Sequence, residues 1–257
     1  MSGTLYLCAT PIGNLEDITF RVLRTLKEAD LIAAEDTRNT IKLLNHFEIK
    51  TPMTSYHEYN KVDKAAYLVN KLIEGTNIAL VTDAGTPGIS DPGEEIVRQA
   101  DEAGIRVTSL PGACACITAL TLSGLSTRRF AFEAFLPTDK KERKAILDSL
   151  VTETRTTIIY EAPHHLLSTL EELYNTIGDR KITLCRELTK LHETIQLMTI
   201  SSAITYYREN QPKGEYVLVI SGRTLKELEE EKQQSWEKIS LNEHMDIYLS
   251  KGFDKKE

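Results

Sequence analysis

The residues with the clearest chemical character lie in the segment 82–93, which reads Thr-Asp-Ala-Gly-Thr-Pro-Gly-Ile-Ser-Asp-Pro-Gly. The segment follows an apolar run, 77–81, that predicts a buried strand, and precedes a helix pattern that begins at Glu94. Three glycines give this loop little side-chain bulk, so a ligand can reach main-chain N–H and C=O groups. A plain connecting turn needs fewer such residues. We therefore interpret the segment as a ligand-binding loop.

An alternation of strand and helix patterns positions this loop. The alternation predicts an α/β domain with a largely parallel sheet, in which ligands bind where loops leave the carboxyl ends of strands. Three predicted loops meet that condition: 10–14, 82–93 and 111–114. The strand patterns span 4–9, 30–34, 51–55, 77–82 and 106–110, and the helix patterns span 17–28, 38–46, 61–74 and 94–103.

No phosphate-binding glycine motif accompanies the predicted strands. The first loop, Thr10-Pro-Ile-Gly-Asn14, lacks the spacing Gly-x-Gly-x-x-Gly, and the sequence contains no Gly-x-x-x-x-Gly-Lys-Ser/Thr. A ligand held by backbone amides and apolar walls therefore fits better than a nucleotide held by its phosphates.

The second half of the chain has a different pattern. Its predicted strands are longer and closer together, and 194–199 alternates apolar and polar residues, as an antiparallel strand with one solvated face does. The predicted strands are 129–135, 155–160, 181–185, 194–199 and 215–220, with helices near 140–150 and 163–177. We predict two α/β domains, the N-terminal one (1–123) with a mostly parallel sheet and the C-terminal one (124–222) with a mixed sheet. A charged helical extension, 223–257, follows, and we expect it to be truncated.

Composition is that of a soluble globular protein, with 41% hydrophobic and 27% charged residues among 257. No apolar run approaches the ~20 residues of a membrane helix. The first predicted strand begins at Thr4 and leaves no room for a signal peptide. Four cysteines lie in apolar segments without a Cys-x-x-Cys pair, which indicates reduced thiols and a cytoplasmic location. A metal site at Cys114 and Cys116 is not expected, because neighbouring ligands are missing.

Charge argues against indiscriminate nucleic-acid binding, since the net charge is −7. One basic cluster nevertheless stands out in the middle of the chain, although solvated helix and loop faces often carry such clusters. It consists of Arg128, Arg129, Lys140, Lys141, Arg143 and Lys144.

Several long motifs, in order along residues 4–222, resemble the tetrapyrrole methylase superfamily, and more narrowly its ribosomal RNA small subunit methyltransferase I family. The most extended are Ala-Asp-Leu-Ile-Ala-Ala-Glu-Asp-Thr-Arg and Asp-Ala-Gly-Thr-Pro-x-Ile-Ser-Asp-Pro-Gly. The matching segments are Leu5 to Leu15, Ala29 to Arg38, Ser55–Glu58, Asp83–Gly93, Leu110–Gly112, Phe135–Pro137, Tyr160–His164, Arg186–Glu193 and Lys213–Val217.

The resemblance implies methyl transfer from S-adenosylmethionine to the 2′-hydroxyl of a cytidine in the decoding region of 16S rRNA, within the small ribosomal subunit. It also implies a homodimer without a metal, and a cofactor cleft between the two domains. Carried onto this sequence, the cofactor contacts are Pro11, Asp83, Ala84, Gly85, Thr86, Ile89, Cys114, Ala115, Tyr160, Glu161 and Leu188.

The chemistry of such a transfer points to catalytic candidates. A sulfonium methyl is already activated, so the enzyme mainly aligns the reactants. A ribose hydroxyl becomes a good nucleophile when its proton is removed or its oxygen is polarised. Helix capping explains Asp36 equally well, and a histidine such as His57 is more commonly an ordinary loop residue. The candidates are Glu35, Asp36, Arg38, His57, Glu187 and Lys190.

An RNA substrate gives the basic cluster a role, because its cations could position phosphates without reading sequence. An exposed Tyr56 or Tyr59 could stack on a displaced base, with loop packing as the alternative.

Two other functions remain open. The first is a small-molecule methyltransferase that acts on a tetrapyrrole or similar compound, and the second is a non-catalytic module that binds the cofactor or RNA.

Overall fold

A computed structural model describes residues 1–237 and divides their strands between two five-stranded sheets. In the first sheet the strand order is β3-β2-β4-β1-β5 and every pairing is parallel. The mostly parallel N-terminal sheet is thus confirmed. Its strands are β1 (Thr4–Cys8), β2 (Leu31–Ala34), β3 (Met53–Ser55), β4 (Ile78–Val81) and β5 (Arg106–Leu110). The helices between and after them are α1 (Phe20–Glu28), α2 (Thr37–His46), α3 (Lys61–Ile73), α4 (Gly93–Glu102) and α5 (Ala115–Leu122).

The second sheet has the order β6-β7-β10-β8-β9 and is mixed, as the sequence predicts. The β6–β7 pairing is parallel, and the other three pairings are antiparallel. Its strands are β6 (Phe130–Phe135), β7 (Thr156–Glu161), β8 (Lys181–Arg186), β9 (Thr194–Thr199) and β10 (Tyr216–Ile220). The helices are α6 (Lys140–Ser149), α7 (Leu166–Ile177), α8 (Ile200–Glu209) and α9 (Leu225–Glu237).

Burial explains why these strands form. Every residue of β4 is buried, because α-helices cover both faces of the parallel sheet. One face of the second sheet packs on α6, α7 and α8. Its other face packs on α5, where Cys116, Ala119 and Leu120 contact Val217 and Val219. The helix α5 therefore ties the two halves together, although it precedes the proposed domain boundary at residue 123.

Two helices are not among the predicted elements. The helix α5 has the sequence ACITALTL, which is apolar on all sides and so lacks the periodicity of an amphipathic helix. The helix α8 follows β9 without a Gly or Pro between them, and the boundary is set by Thr199, whose side chain accepts a hydrogen bond from the N–H of Ser202. Of the predicted extension 223–257, the described part is α9, and the remainder lies outside the described residues.

Among the helices of residues 1–237, none combines the length and the apolar character that a membrane span requires.

The expectation that Tyr56 is exposed is wrong. Its side chain is 1% exposed and lies in the core between β3 and α4. Its hydroxyl donates a hydrogen bond of 2.8 Å to the carbonyl of Pro92, directly before α4. Tyr56 therefore anchors the end of the 82–93 loop, whereas Tyr59 is 97% exposed.

We predict that Tyr56→Phe lowers the free energy of unfolding by ~1 kcal/mol, because it removes the buried hydrogen bond from the Tyr56 hydroxyl to the Pro92 carbonyl. Urea denaturation at pH 7 measures this difference. Tyr59→Phe is the matched control and is expected to leave the midpoint unchanged. Equal midpoints for the two variants would show that the Tyr56 hydroxyl does not stabilise the fold.

Candidate active site between the two sheets

The loops at the carboxyl edge of the first sheet are joined by a main-chain bridge. The N–H of Thr10 donates to the Gly85 carbonyl (2.9 Å), and the N–H of Gly85 donates to the Thr10 carbonyl (3.0 Å). The Thr10 hydroxyl adds a bond of 3.1 Å to the carbonyl of Thr82. The loops after β1 and β4 are thereby held against each other.

Gly85 suits this position because of its backbone. Its φ is +87°, and a Cβ there would approach Cγ2 of Ile12 to 3.3 Å. The N–H of Gly85 donates to Thr10 in the bridge, so it is not available to a ligand. Within the described residues, the N–H groups of Ala84 and Thr86 donate to no protein acceptor, and these are the ones left for a ligand.

The rest of the loop is organised by the carboxylate of Asp91. It accepts hydrogen bonds from the N–H groups of Gly88 (2.9 Å), Ile89 (3.1 Å) and Gly93 (2.8 Å). Ser90 adopts a φ of +66° within this turn. The side chain of Asp91 therefore shapes the loop that the sequence indicates as a ligand site.

A cavity of about 460 Å³ opens between this edge and the second sheet, and we call it the main cleft. Its size lies in the range of small-molecule sites. Both halves of the chain line it. The lining residues are Ile12, Glu35, Thr82, Asp83, Ala84, Gly85, Thr86, Ile89, Ser90, Asp91, Cys114, Ala115, Phe135, Tyr160, Glu161, Ala162, Pro163, Cys185, Glu187, Leu188, Lys190, Glu215, Tyr216 and Val217.

Two carboxylates meet at the first-sheet wall of the main cleft. Glu35 accepts hydrogen bonds from the hydroxyl of Thr82 (2.6 Å) and the N–H of Asp83 (3.3 Å). The carboxylate of Asp83 accepts from the N–H of Asp36 (3.1 Å) and the amide of Asn39 (3.4 Å). Burial raises the pKa of Asp83, and the nearby charge of Glu35 raises it further. A carboxylate of raised pKa is a better proton acceptor.

Asp36 and Arg38 face each other at the start of α2. The Asp36 carboxylate caps the helix by accepting from the Arg38 N–H (2.8 Å), and it also bonds the Arg38 guanidinium (2.7 Å). These bonds lower the pKa of Asp36 to about 2. Neither residue lines the main cleft, and the side chain of Arg38 is 87% exposed.

A second charged group lies on the opposite wall. The ammonium of Lys190 contacts the carboxylates of Glu187 (3.0 Å) and Glu215 (2.9 Å). Burial alone would raise the pKa of Glu187, but the N–H of Glu215 and the Lys190 ammonium outweigh it and lower the pKa. Glu187 and Thr189 both have positive φ, +51° and +64°. Such conformations are typical of ligand-binding segments.

The start of α5 brings two thiols to the cleft. The sulfur atoms of Cys114 and Cys116 lie 3.4 Å apart, and the N–H of Cys116 donates to the Tyr160 hydroxyl oxygen (3.1 Å). The Cys116 thiol and the N–H groups at the start of the helix lower the pKa of Cys114 to about 6. By contrast, burial raises the pKa values of Cys8 and Cys185 to about 12.

Most sequence-predicted site residues meet in the main cleft. Of the catalytic candidates, Glu35, Glu187 and Lys190 line it, whereas Asp36, Arg38 and His57 do not. Of the cofactor candidates, Pro11 is the one outside it. Phe135 and Glu215 also line the cleft but are not among the residues predicted from the sequence, although both lie in motifs that carry the resemblance. The cofactor candidates in the cleft are Asp83, Ala84, Gly85, Thr86, Ile89, Cys114, Ala115, Tyr160, Glu161 and Leu188.

The basic cluster splits into two kinds of side chain. The guanidinium of Arg143 bonds Glu172 (2.7 Å) and the hydroxyl of Thr169 (2.8 Å), and Lys144 pairs with Asp148 (2.7 Å). These two cations are engaged within the protein. The remaining four have no ion-pair partner in residues 1–237 and are exposed: Arg128, Arg129, Lys140 and Lys141.

A second, smaller cavity of about 290 Å³ adjoins the main cleft, and we call it the α2 cavity. Thr82 and Asp83 line both cavities, so Asp83 stands at their junction. The other residues of its wall are Thr10, Pro11, Leu15, Asn39, Thr40, Lys42, Leu43 and His46.

Within residues 1–237, no three His, Cys, Asp or Glu side chains are grouped so that they could hold a metal ion.

Comparison with known proteins identifies the class. The family model of Tetrapyrrole (Corrin/Porphyrin) Methylases matches residues 4–204. Two solved structures have the same fold. Uroporphyrin-III-C-methyltransferase from Thermus thermophilus is 20% identical with a TM-score of 0.60, and the match covers 84% of this chain and 94% of that one. Diphthine synthase is 15% identical with a TM-score of 0.63, and the match covers 85% of this chain and 90% of that one. The chain therefore belongs to the tetrapyrrole methylase family.

More similar sequences carry one particular name. A "Ribosomal RNA small subunit methyltransferase I" from Halalkalibacterium halodurans is 50% identical over 255 residues, which is 99% of this chain and 88% of that protein. The protein of the same name from Synechocystis is 52% identical over 251 residues, with 97% and 88% covered.

We predict that Cys114 is the first thiol alkylated by iodoacetamide in the native protein. The thiolate is the reacting form, so the rate rises with pH through about 6 and levels off above it. Peptide mass spectrometry at pH 5 to 9 measures the rate at each cysteine. Cys114→Ser is expected to remove the fast reaction, and Cys185→Ser serves as the control that keeps it. A rate for Cys114 that is still rising at pH 8.5 would contradict the lowered pKa.

Proposed function

We propose that this chain is an S-adenosylmethionine-dependent methyltransferase that acts on 16S rRNA of the small ribosomal subunit. Its target is the 2′-hydroxyl of a cytidine in the decoding region. The observation that carries the proposal is identity near 50%, over almost the whole chain, to proteins named as small-subunit ribosomal RNA methyltransferases. The main cleft, lined from both sheets, supplies the site.

The walls of the main cleft fit the proposed cofactor. The N–H groups of Ala84 and Thr86 are free to donate to it. The N–H of Ala115, the first residue of α5, donates to no acceptor within the described residues, and Ala115 lines the cleft where the helix N-terminus favours negative charge, such as a carboxylate. Ile12, Leu188 and Val217 provide apolar surface for a flat ring. When bound, S-adenosylmethionine supplies an activated methyl group.

The pair Glu35 and Asp83 prepares the nucleophile in this proposal. The Asp83 carboxylate would take up the proton of the ribose hydroxyl when the methyl group moves from the cofactor sulfur to that oxygen, and would release the proton to solvent afterwards. The raised pKa of Asp83 favours this uptake of a proton. Glu35, fixed by the Thr82 hydroxyl, holds the main chain of Asp83 in place.

On the other wall, Lys190 polarises the substrate. Its ammonium is held by Glu187 and Glu215 at the cleft, and these two carboxylates raise its pKa despite partial burial. It therefore stays charged at neutral pH and can attract a phosphate or a ribose oxygen. Three of the catalytic candidates lie outside the main cleft: Asp36, Arg38 and His57. In this proposal they act on the reaction indirectly, through α2 and the neighbouring loops.

The exposed cations Arg128, Arg129, Lys140 and Lys141 position phosphates of the RNA in this proposal, whereas Arg143 and Lys144 mainly stabilise α6. Tyr59, 97% exposed, is available to stack on a displaced base. The protein acts as a cytoplasmic homodimer of two-domain chains, divided near residue 123. Neither a metal nor a membrane takes part.

We predict that the purified protein transfers label from S-adenosylmethionine to small subunits lacking the modification, and that Asp83→Asn slows transfer by a factor of roughly 10²–10⁴. The amide cannot accept the proton, but it keeps the shape of the side chain. Because the resemblance also places Asp83 among the cofactor contacts, calorimetry on the same variant measures its cofactor affinity and so separates a loss of chemistry from a loss of binding. Mapping the labelled nucleotide measures the site.

The matched control is Glu28→Gln, which neutralises an exposed carboxylate outside both cavities. It should leave the rate unchanged. Label appearing on a uroporphyrin precursor instead of rRNA would favour the small-molecule alternative, and cofactor binding without transfer to any RNA would favour the non-catalytic one. Full activity of Asp83→Asn would remove Asp83 from the mechanism.

A further inference from the structure

The α2 cavity contains a polar surface to which the reaction proposed above gives no role. Asn39, Lys42 and His46 follow one another at helical spacing and lie on one face of α2, next to the cavity. The opposite wall is apolar, formed by Pro11 and Leu15, and Leu15 is 40% exposed. The cavity thus has hydrogen-bond donors on one wall and, on the other, apolar side chains against which a flat ring can pack.

Lys42 is available to an anion. In the described part of the chain its ammonium has no carboxylate partner, whereas Arg98 on α4 pairs with both Glu95 and Glu102. The imidazole of His46 lies one turn further along the same face, and it packs edge-on against the ring of Phe47. A phosphate between the Lys42 and His46 side chains would meet one ammonium and one ring N–H.

The end of the cavity that adjoins the main cleft has the opposite character. There the Asn39 amide bonds the carboxylate of Asp83, which also lines the main cleft. An occupant of the α2 cavity therefore reaches the same carboxylate as an occupant of the main cleft. A chain of linked nucleotides can fill both, with its charged backbone outward and a base or ribose edge inward.

We propose that the α2 cavity binds a nucleotide of the RNA substrate next to the one that is methylated, with its phosphate on Lys42 and His46 and its base against Pro11 and Leu15. Asn39 meets the polar edge of that base, as amide side chains do in base recognition. This inference rests on the proposed function and specifies its substrate site. A volume of about 290 Å³ suits one nucleotide of a single strand better than a tetrapyrrole macrocycle.

The test compares Lys42→Glu with Lys50→Glu. Both lysines are exposed and without ion-pair partners in residues 1–237, but Lys50 lies outside both cavities. For Lys42→Glu we expect the KM for unmodified small subunits to rise about tenfold or more, with kcat changed less. The logarithm of affinity should also depend less steeply on salt, by about one unit of slope. Lys50→Glu should match the unmodified protein in each measurement.

Two further measurements separate the possible failures. Cofactor affinity by calorimetry and the thermal midpoint should be the same in both variants, which shows that the fold and main cleft are intact. Fluorescence anisotropy with a short cytidine-containing oligoribonucleotide reports RNA binding without turnover. Asn39→Leu is a second variant for the anisotropy measurement, and it changes no charge. Equal RNA affinity and KM for Lys42→Glu and Lys50→Glu would overturn the inference. Absence of methyl transfer by the unmodified protein would overturn the proposed function, while the anisotropy comparison would still decide the α2 cavity.

Discussion

The structure of the site depends on the main-chain bridge between Thr10 and Gly85. Two hydrogen bonds join the loop after β1 to the loop after β4 at the carboxyl edge of the parallel sheet. Because the Gly85 backbone turns at a positive φ, the chain on either side of the bridge faces the main cleft. The bridge also separates the two cavities, with Thr10 in the wall of one and Gly85 in the wall of the other.

Charged side chains from both sheets line the main cleft beside this bridge. Glu35 and Asp83 concentrate negative charge on the first-sheet side, while Lys190 brings a cation held by two carboxylates from the second sheet. Such groups are fixed by hydrogen bonds before a substrate arrives, which is how preorganised sites avoid reorganisation during a reaction. Two further residues line the same cleft: Cys114, directly before α5, whose pKa is lowered, and Tyr160, in β7, whose pKa is raised by burial.

Much of this arrangement could be predicted from sequence. The parallel sheet, the mixed sheet and the loop 82–93 follow from strand periodicity and glycine placement. By contrast, α5 is apolar on all sides and gives no periodic signal, and Tyr56 lies in a polar segment although its ring is buried. Nor could the sequence show that the N–H and the carbonyl of Gly85 both hydrogen-bond Thr10, or that Asn39 and Lys42 border a cavity. Both features depend on contacts between segments that are distant in the sequence.

The most direct test of the account is the affinity of Gly85→Ala for S-adenosylmethionine, measured by calorimetry. A side chain at this positive φ strains the loop and presses on Ile12, so we expect affinity to fall about tenfold or more. Gly104→Ala is the control, since Gly104 has a φ of +68° with nothing within 4 Å of a Cβ, and Gly104 lines neither cavity. It should bind the cofactor like the unmodified protein. Unchanged affinity in a folded Gly85→Ala protein would contradict the central role given to the bridge.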